Sequence, residues 1–135
     1  MRHARRLVGI GPITRADWWN ATPRPDEIGI SSLSPPLLSV PYGCLVPRDI
    51  DGLLVAGRHI SCDPSSHSFL REIPQCWLTG QAAGVAAALA GAERCAPRTV
   101  PIAELQAALR RQQVLLRAEG EPALAPAGET AEAKS

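Results

Sequence analysis

Residues 51–61, DGLLVAGRHIS, and residues 73–91, IPQCWLTGQAAGVAAALAG, decide how this chain is read. Four apolar residues, Leu53 to Ala56, run straight into Gly57, and a long helix of small residues follows with Gly80 and Gly84 one turn apart. An unbroken apolar run predicts a strand buried on both faces, which belongs in an α/β layer rather than a half-solvated hairpin. Doubly wound folds place ligands beyond the carboxyl ends of such strands. The next helix start offers free N–H groups to an anion or a polarised oxygen. The segment is therefore expected to form one edge of a cofactor site.

Composition narrows the partners. The chain of 135 residues carries 14 basic and 13 acidic side chains, a net charge of +1, so nucleic acid and a membrane surface have no electrostatic case. The longest apolar run, Cys76 to Ala90, is broken by Thr79 and Gln81. It falls short of the roughly 18 residues a membrane span needs. Cys44, Cys62, Cys76 and Cys95 form no CxxC pair, so neither a metal site nor a redox dithiol is expected. The start, MRHARRLVGIG, is basic but lacks the apolar centre of a secretory leader. A cytoplasmic protein with reduced thiols is the expectation.

Along the chain, Arg5 to Ile10 reads as a short strand. Thr14 to Asp17 fits a helix-capping box, with Trp18 and Trp19 in the first turn and Pro23 and Pro25 soon ending the helix. Proline and serine dominate from Pro25 to Pro47, which reads as a lid or partial sheet with strands near Ile28 to Ser31 and Leu37 to Val40. A strand at Tyr42 to Val46 and a polar loop from Ser61 to Leu70 follow. The long helix should start near Glu72 or Ile73, with Pro74 in its first turn, and end at Gly91. Pro101 to Arg117 shows a second helical stripe through Ile102, Leu105, Leu109 and Leu116. The stretch after residue 117 is rich in Ala, Glu and Pro and reads as a disordered tail.

Several motifs invite function. Gly9-Ile10-Gly11 begins a dinucleotide fingerprint but has Pro12 next and Thr14 at the third glycine position, so it is read as a decoy. Gly80 to Gly84 would let the helix press closely on a sheet or a bound cofactor. His59 and His67 flank the polar loop past the strand end, and His3 lies in the basic start. Arg58 and Arg71 could hold an anion or stack on a ring, or be neutralised by Asp63 or Glu72.

Taken in order, VPYGCLVPRDIDGLLVAGRHIS, then FLREIPQCWLTGQAAGVAAALA, then PIAELQAALRRQ resemble the carboxyl-terminal portion of a bacterial FAD-dependent oxidoreductase of the glutathione-reductase-like flavoprotein superfamily. The resemblance is strong from Val40 to Gly91. It implies that Gly57 and Arg58 lie beside the ribityl chain of FAD. Arg71, Glu72, Ile73 and Pro74 would turn backbone N–H groups toward the pyrimidine end of the flavin, with Gly80 and Gln81 packed beneath. His59 and His67 would border the substrate cavity; no catalytic residue is assigned. The implied fold is α/β: a partial FAD-binding (Rossmann-like) domain lacking its N-terminal βαβ unit, with the last strand, the terminal helices and part of a substrate-domain sheet. Residues 1–41 would be a substrate or cap-domain remnant, 42–117 the FAD-binding part and 118–135 the tail.

The family's G-x-G-x-x-G and ribose-binding acid have no counterpart in these residues. The resemblance thus implies dependence on a missing N-terminal FAD-binding segment or a partner chain, a small-molecule substrate, and weak or no FAD binding alone. The competing expectation is a non-enzymatic, helix-rich protein-interaction module built on the Ala/Gly helix and the Pro101 to Arg117 helix.

Overall fold

Side-chain caps and short backbone crossings, more than a large sheet, organise this chain. In the computed structural model, residues 5–19, 23–31 and 38–117 are described. The order is α1 (Arg15–Trp19), β1 (Glu27–Ser31), β2 (Leu38–Pro41), α2 (Pro64–Leu70), α3 (Ile73–Glu93) and α4 (Ile102–Arg111), with 3₁₀ turns at Tyr42–Cys44, Gly57–His59 and Pro97–Thr99. β1 and β2 pair antiparallel, Ile30 opposite Ser39 and Ser31 opposite Leu38, with an irregularity between Glu27 and Gly29. The result is a mixed α and β chain whose named sheet has two strands. His3, Leu37 and the tail after residue 117 lie outside the described residues.

The caps explain where helices start. Asp17 accepts the Thr14 N–H and hydroxyl, both at 2.8 Å, as the capping box predicts. Asp63 caps two helices at once. Its carboxylate takes the Ser66 N–H of α2 at 2.7 Å and the Arg15 N–H of α1 at 2.6 Å. The 61–70 stretch is consequently not the loop expected: Asp63 is an N-cap and Pro64 opens the helix, a position that needs no N–H.

The core forms around the hairpin. Ile13, Ile28, Val40, Leu45, Leu105 and Leu109 are fully buried in one cluster, joined by Ala82 and Ala86 of α3. Of the two expectations for the proline-rich 25–47 region, its described residues form the partial sheet, and Ile28, Leu38, Val40 and Leu45 bring it into the core rather than leaving it apart from one. This core crosses the expected boundary at 41/42. α4 is fastened to β1 by Gln106, which donates to the Glu27 carbonyl at 3.0 Å, and the segment after α4 by the Arg117 N–H, which donates to the Glu27 carboxylate at 2.7 Å.

Other expectations are corrected. Leu53 to Ala56 is extended but forms no strand. Leu53 is 44 % exposed, and one backbone bond, Val55 N–H to the Leu45 carbonyl at 2.9 Å, ties the run down. An apolar run is buried on both faces only where strands flank it, and among the described residues none does. The 5–10 stretch makes a single antiparallel bridge, Gly9 to Pro47, rather than a strand. Tyr42 to Cys44 winds into a 3₁₀ turn, closed by the Leu45 N–H on the Tyr42 carbonyl. α3 runs past Gly91, and Arg94 takes the left-handed C-terminal position at φ 51°. α4 stops at Arg111, with Gln113 at φ 63° turning the chain before Leu116.

Asp63 yields a test. Desolvation works to raise its carboxyl, but the Ser66 N–H first, with the Arg15 N–H beside it, outweighs that and holds the acid below its ordinary 3.8. A depressed folded value means the contribution is present above the unfolded value and disappears as pH falls through the folded one. Asp63→Ala is expected to cost about 1–2 kcal/mol in urea unfolding at neutral pH. That gap should close as the pH drops below the ordinary aspartate range.

Candidate functional site

A glycine that must bend backwards meets a helix at the centre of the site. Gly57 has φ 74°, a conformation side chains resist, and opens the Gly57–His59 turn against α3. Its N–H donates to Thr79 Oγ1 at 3.0 Å, and the Thr79 hydroxyl donates in turn to the Gln75 carbonyl at 2.8 Å. Thr79 is 1 % exposed, so this relay is shielded from water. It holds the end of the Leu53–Ala56 run against the first two turns of α3. A Cβ on Gly57 would stand 4.0 Å from Cys76 Sγ, so conformation rather than space demands glycine there.

The start of α3 beside this junction is electrostatically open. Glu72 is the N-cap residue, yet its side chain caps no N–H, and the first helical bond is from the Cys76 N–H to the Glu72 carbonyl. With Pro74 lacking a donor, Ile73 and Gln75 supply the N–H groups of this uncapped first turn, where the helix dipole favours negative charge. Ile73 is 61 % exposed.

The other expected residues are distributed as follows. Arg71 ends α2 and pairs with Glu72 at 3.7 Å, the neutralising partnership weighed for it, and such a half-solvated pair is worth little. Arg58 and His59 are exposed. His67 is 1 % exposed, and its Nε2–H donates to the Arg58 carbonyl at 3.2 Å, so the ring braces the turn from inside. Gly80 and Gly84 face open space, with no atom within 4 Å of a Cβ placed there. The tight face of α3 is instead Gln75, Thr79, Ala82, Ala86 and Ala90. Gln81 is exposed and donates to Gln112 at 2.9 Å. The structure thus joins Gly57 to the second turn of α3 through Thr79, with Glu72, Ile73 and Pro74 further along at the helix start, and leaves Gly80 facing open space.

Thr79 and Gln75 were missed by sequence reasoning. Their signal was available as two polar residues four apart, in line with Ala82, Ala86 and Ala90 at helical spacing. Burial first, then the neighbouring Cys62 and Asp26, pushes the Cys44 thiol far up, and burial raises Cys62 as well, so neither is a ready thiolate. Among the described residues no three His, Cys, Asp or Glu side chains converge as a metal site, and no helix is long and apolar enough to cross a membrane.

Against known proteins, the family model for FAD dependent oxidoreductases matches residues 32–109, more than half of the chain. The chain belongs to the FAD dependent oxidoreductase family. No curated protein and no solved structure matches it. The matched span includes the Gly57 junction and all of α3. These residues suit the flavin end of FAD, since they pair an uncapped helix start with half-exposed apolar backbone at Leu53 to Ala56. Gly9-Ile10-Gly11 does not suit the pyrophosphate end. It crosses under the Tyr42–Cys44 turn, with the Gly11 N–H on the Gly43 carbonyl at 3.1 Å, and a Cβ on Gly43 would lie 2.9 Å from Gly11 Cα.

The junction can be tested without cofactor. Thr79→Val keeps the shape but leaves the Gly57 N–H without an acceptor, an expected cost of about 1–3 kcal/mol in chemical unfolding. Gly57→Ala should cost about 1–2 kcal/mol from backbone conformation alone. Unchanged unfolding midpoints for both variants would show that the relay holds nothing.

Proposed function

We propose that this chain supplies the flavin-facing edge of an FAD-dependent oxidoreductase and works with a separate FAD-binding segment or partner chain that holds the adenosine and pyrophosphate. The observation that carries this reading is the uncapped first turn of α3, locked to Gly57 by Thr79 inside the span matched to the family. When bound, FAD supplies the redox chemistry. The chain's own residues position the ring: Gly57 and Arg58 run beside the ribityl chain, and the Ile73 and Gln75 N–H groups face the pyrimidine oxygens. Arg71 and Glu72 flank that helix start, Pro74 fixes its first turn, and His59 belongs to the wall shared with a small-molecule substrate, while His67, expected there from sequence, is buried and braces that wall from behind.

The exposed side of α3 supports a covering partner. Ile73, Trp77, Gly80, Gly84 and Gly91 recur at spacings of three, four and seven, and all are exposed. A helix apolar on opposite faces is built for cover on both. Ile50 at 57 % and Leu53 at 44 % exposure add apolar surface at the mouth of the Leu53–Ala56 run. The half-solvated run would gain the flanking strands of a parallel, Rossmann-like sheet from the same partner, with Gly80 and Gln81 beneath it. No catalytic residue is assigned, and activity by the chain alone is not expected.

Co-expression with an FAD-binding segment containing G-x-G-x-x-G should give a yellow complex, while the chain alone stays colourless. A colourless reconstituted complex would overturn the reading. Gly80→Ala separates the two states. In the free chain it should stabilise by about 0.5–1 kcal/mol, because that site is exposed helix interior. In the complex it should weaken assembly.

A further inference from the structure

Beside the second turn of α3, next to β1 and the chain that leaves α4, lies a cavity of about 330 Å³ walled by Leu78, Val114 and Leu115 and edged by Trp77. Among the described residues, no side chain lining it carries a charge. Gln81, Gln112 and Gln113 line its exposed rim, and its buried polar feature is a pair. Gln75 is 3 % exposed and Ser31 5 %, and the Gln75 Nε2–H donates to Ser31 Oγ at 2.8 Å. Among the described residues the Gln75 Oε1 has no donor, and with under 1 Å² of exposure it meets a ligand only when the amide turns toward the cavity. Ser31 accepts the Gln75 bond and retains its own hydroxyl proton to give.

An unanswered acceptor therefore sits beside an available donor at the cavity wall. Turning the Gln75 amide over exchanges the two roles and still leaves one of each. The last torsion of a glutamine is broad, so the oxygen can swing to meet a ligand with little strain. Trp77 is 74 % exposed and offers an indole face at the rim. The volume is at the lower end of small-molecule pockets, which run from about 300 to 1,000 Å³.

We propose that this cavity binds a small, neutral, planar ring bearing an amide edge, a carboxamide or a lactam. The ring lies against Trp77 in offset contact. The ligand N–H goes to Gln75 Oε1 and its C=O receives the Ser31 hydroxyl. An alcohol or ether matches only part of that pattern. A charged ligand would be desolvated against Leu78 and Val114 with no counter-charge among the described residues of the wall. The cavity shares Pro74, Gln75 and Gln81 of α3 with the proposed flavin-facing edge, but the groups that meet this ligand, the Gln75 side chain, the Ser31 hydroxyl and Trp77, are not ones assigned to flavin, so its test needs no cofactor.

The test is a nitrogen-15 NMR titration of the full chain with benzamide, followed at the Gln75 side-chain amide and the Trp77 indole N–H. Benzamide should shift both signals and saturate at roughly millimolar concentration, as so small a ligand allows. Toluene and benzoate should bind about tenfold more weakly, the first lacking the amide edge and the second carrying charge. Gln75→Leu should lower benzamide affinity about tenfold and leave toluene unchanged. Trp77→Ala, at an exposed position that the fold does not depend on, should weaken benzamide and toluene alike. Absence of saturable benzamide shifts overturns the proposal, as does toluene binding as tightly as benzamide. Full affinity in either variant overturns it too.

Discussion

A single threonine hydroxyl stands at the join of this structure. Thr79 receives the Gly57 N–H and gives its own proton to the Gln75 carbonyl, so one side chain fixes both where the Leu53–Ala56 run ends and how α3 begins. A helical hydroxyl that bonds back to the carbonyl four residues earlier normally competes with the helix ladder. Here it serves as a bracket. Without it, the left-handed turn at Gly57 would have little to hold it, and the N–H groups of the first turn would have no defined place relative to the chain that precedes them.

The second constraint is that the core and the site are built from different parts. The core gathers Ile13, Ile28, Val40, Leu45 and Leu109 around the hairpin. The site sits at its edge, where apolar residues are left half-covered. Asp63 connects the two regions, capping α2 while receiving α1. Arg98 does comparable work on the loop before Leu53, with its guanidinium donating to the carbonyls of Pro47, Arg48 and Ile50 and pairing with Asp51. Local caps and clamps thus position a segment that has no sheet to lie in among the described residues.

Sequence reasoning reached the elements whose signals are local. The capping box at Thr14 to Asp17, the two short strands, and the start of α3 with Pro74 in its first turn all stand in the structure. It failed where an element depends on something distant. The apolar run Leu53 to Ala56 has the composition of an interior strand, but composition cannot say whether flanking strands are present. Tyr42 to Cys44 has strand-like residues, yet close passage under Gly11 curls it into a turn. Asp63-Pro64 was legible as a helix start and was obscured by the serines that follow. In the site, Gly57, Ile73 and Pro74 were readable because strand end and helix start are sequence features. Thr79 and Gln75 were not, since each matters through a partner far along the chain.

The account is tested most directly at the Ile73 and Gln75 amides, by hydrogen exchange in the assembled complex with and without FAD. Both N–H groups lie in a turn that no side chain caps and should exchange readily before the cofactor binds. Marked slowing at these two positions on adding FAD, with the Gly57 amide protected throughout, is the predicted result. Exchange at Ile73 and Gln75 that ignores the cofactor would contradict it.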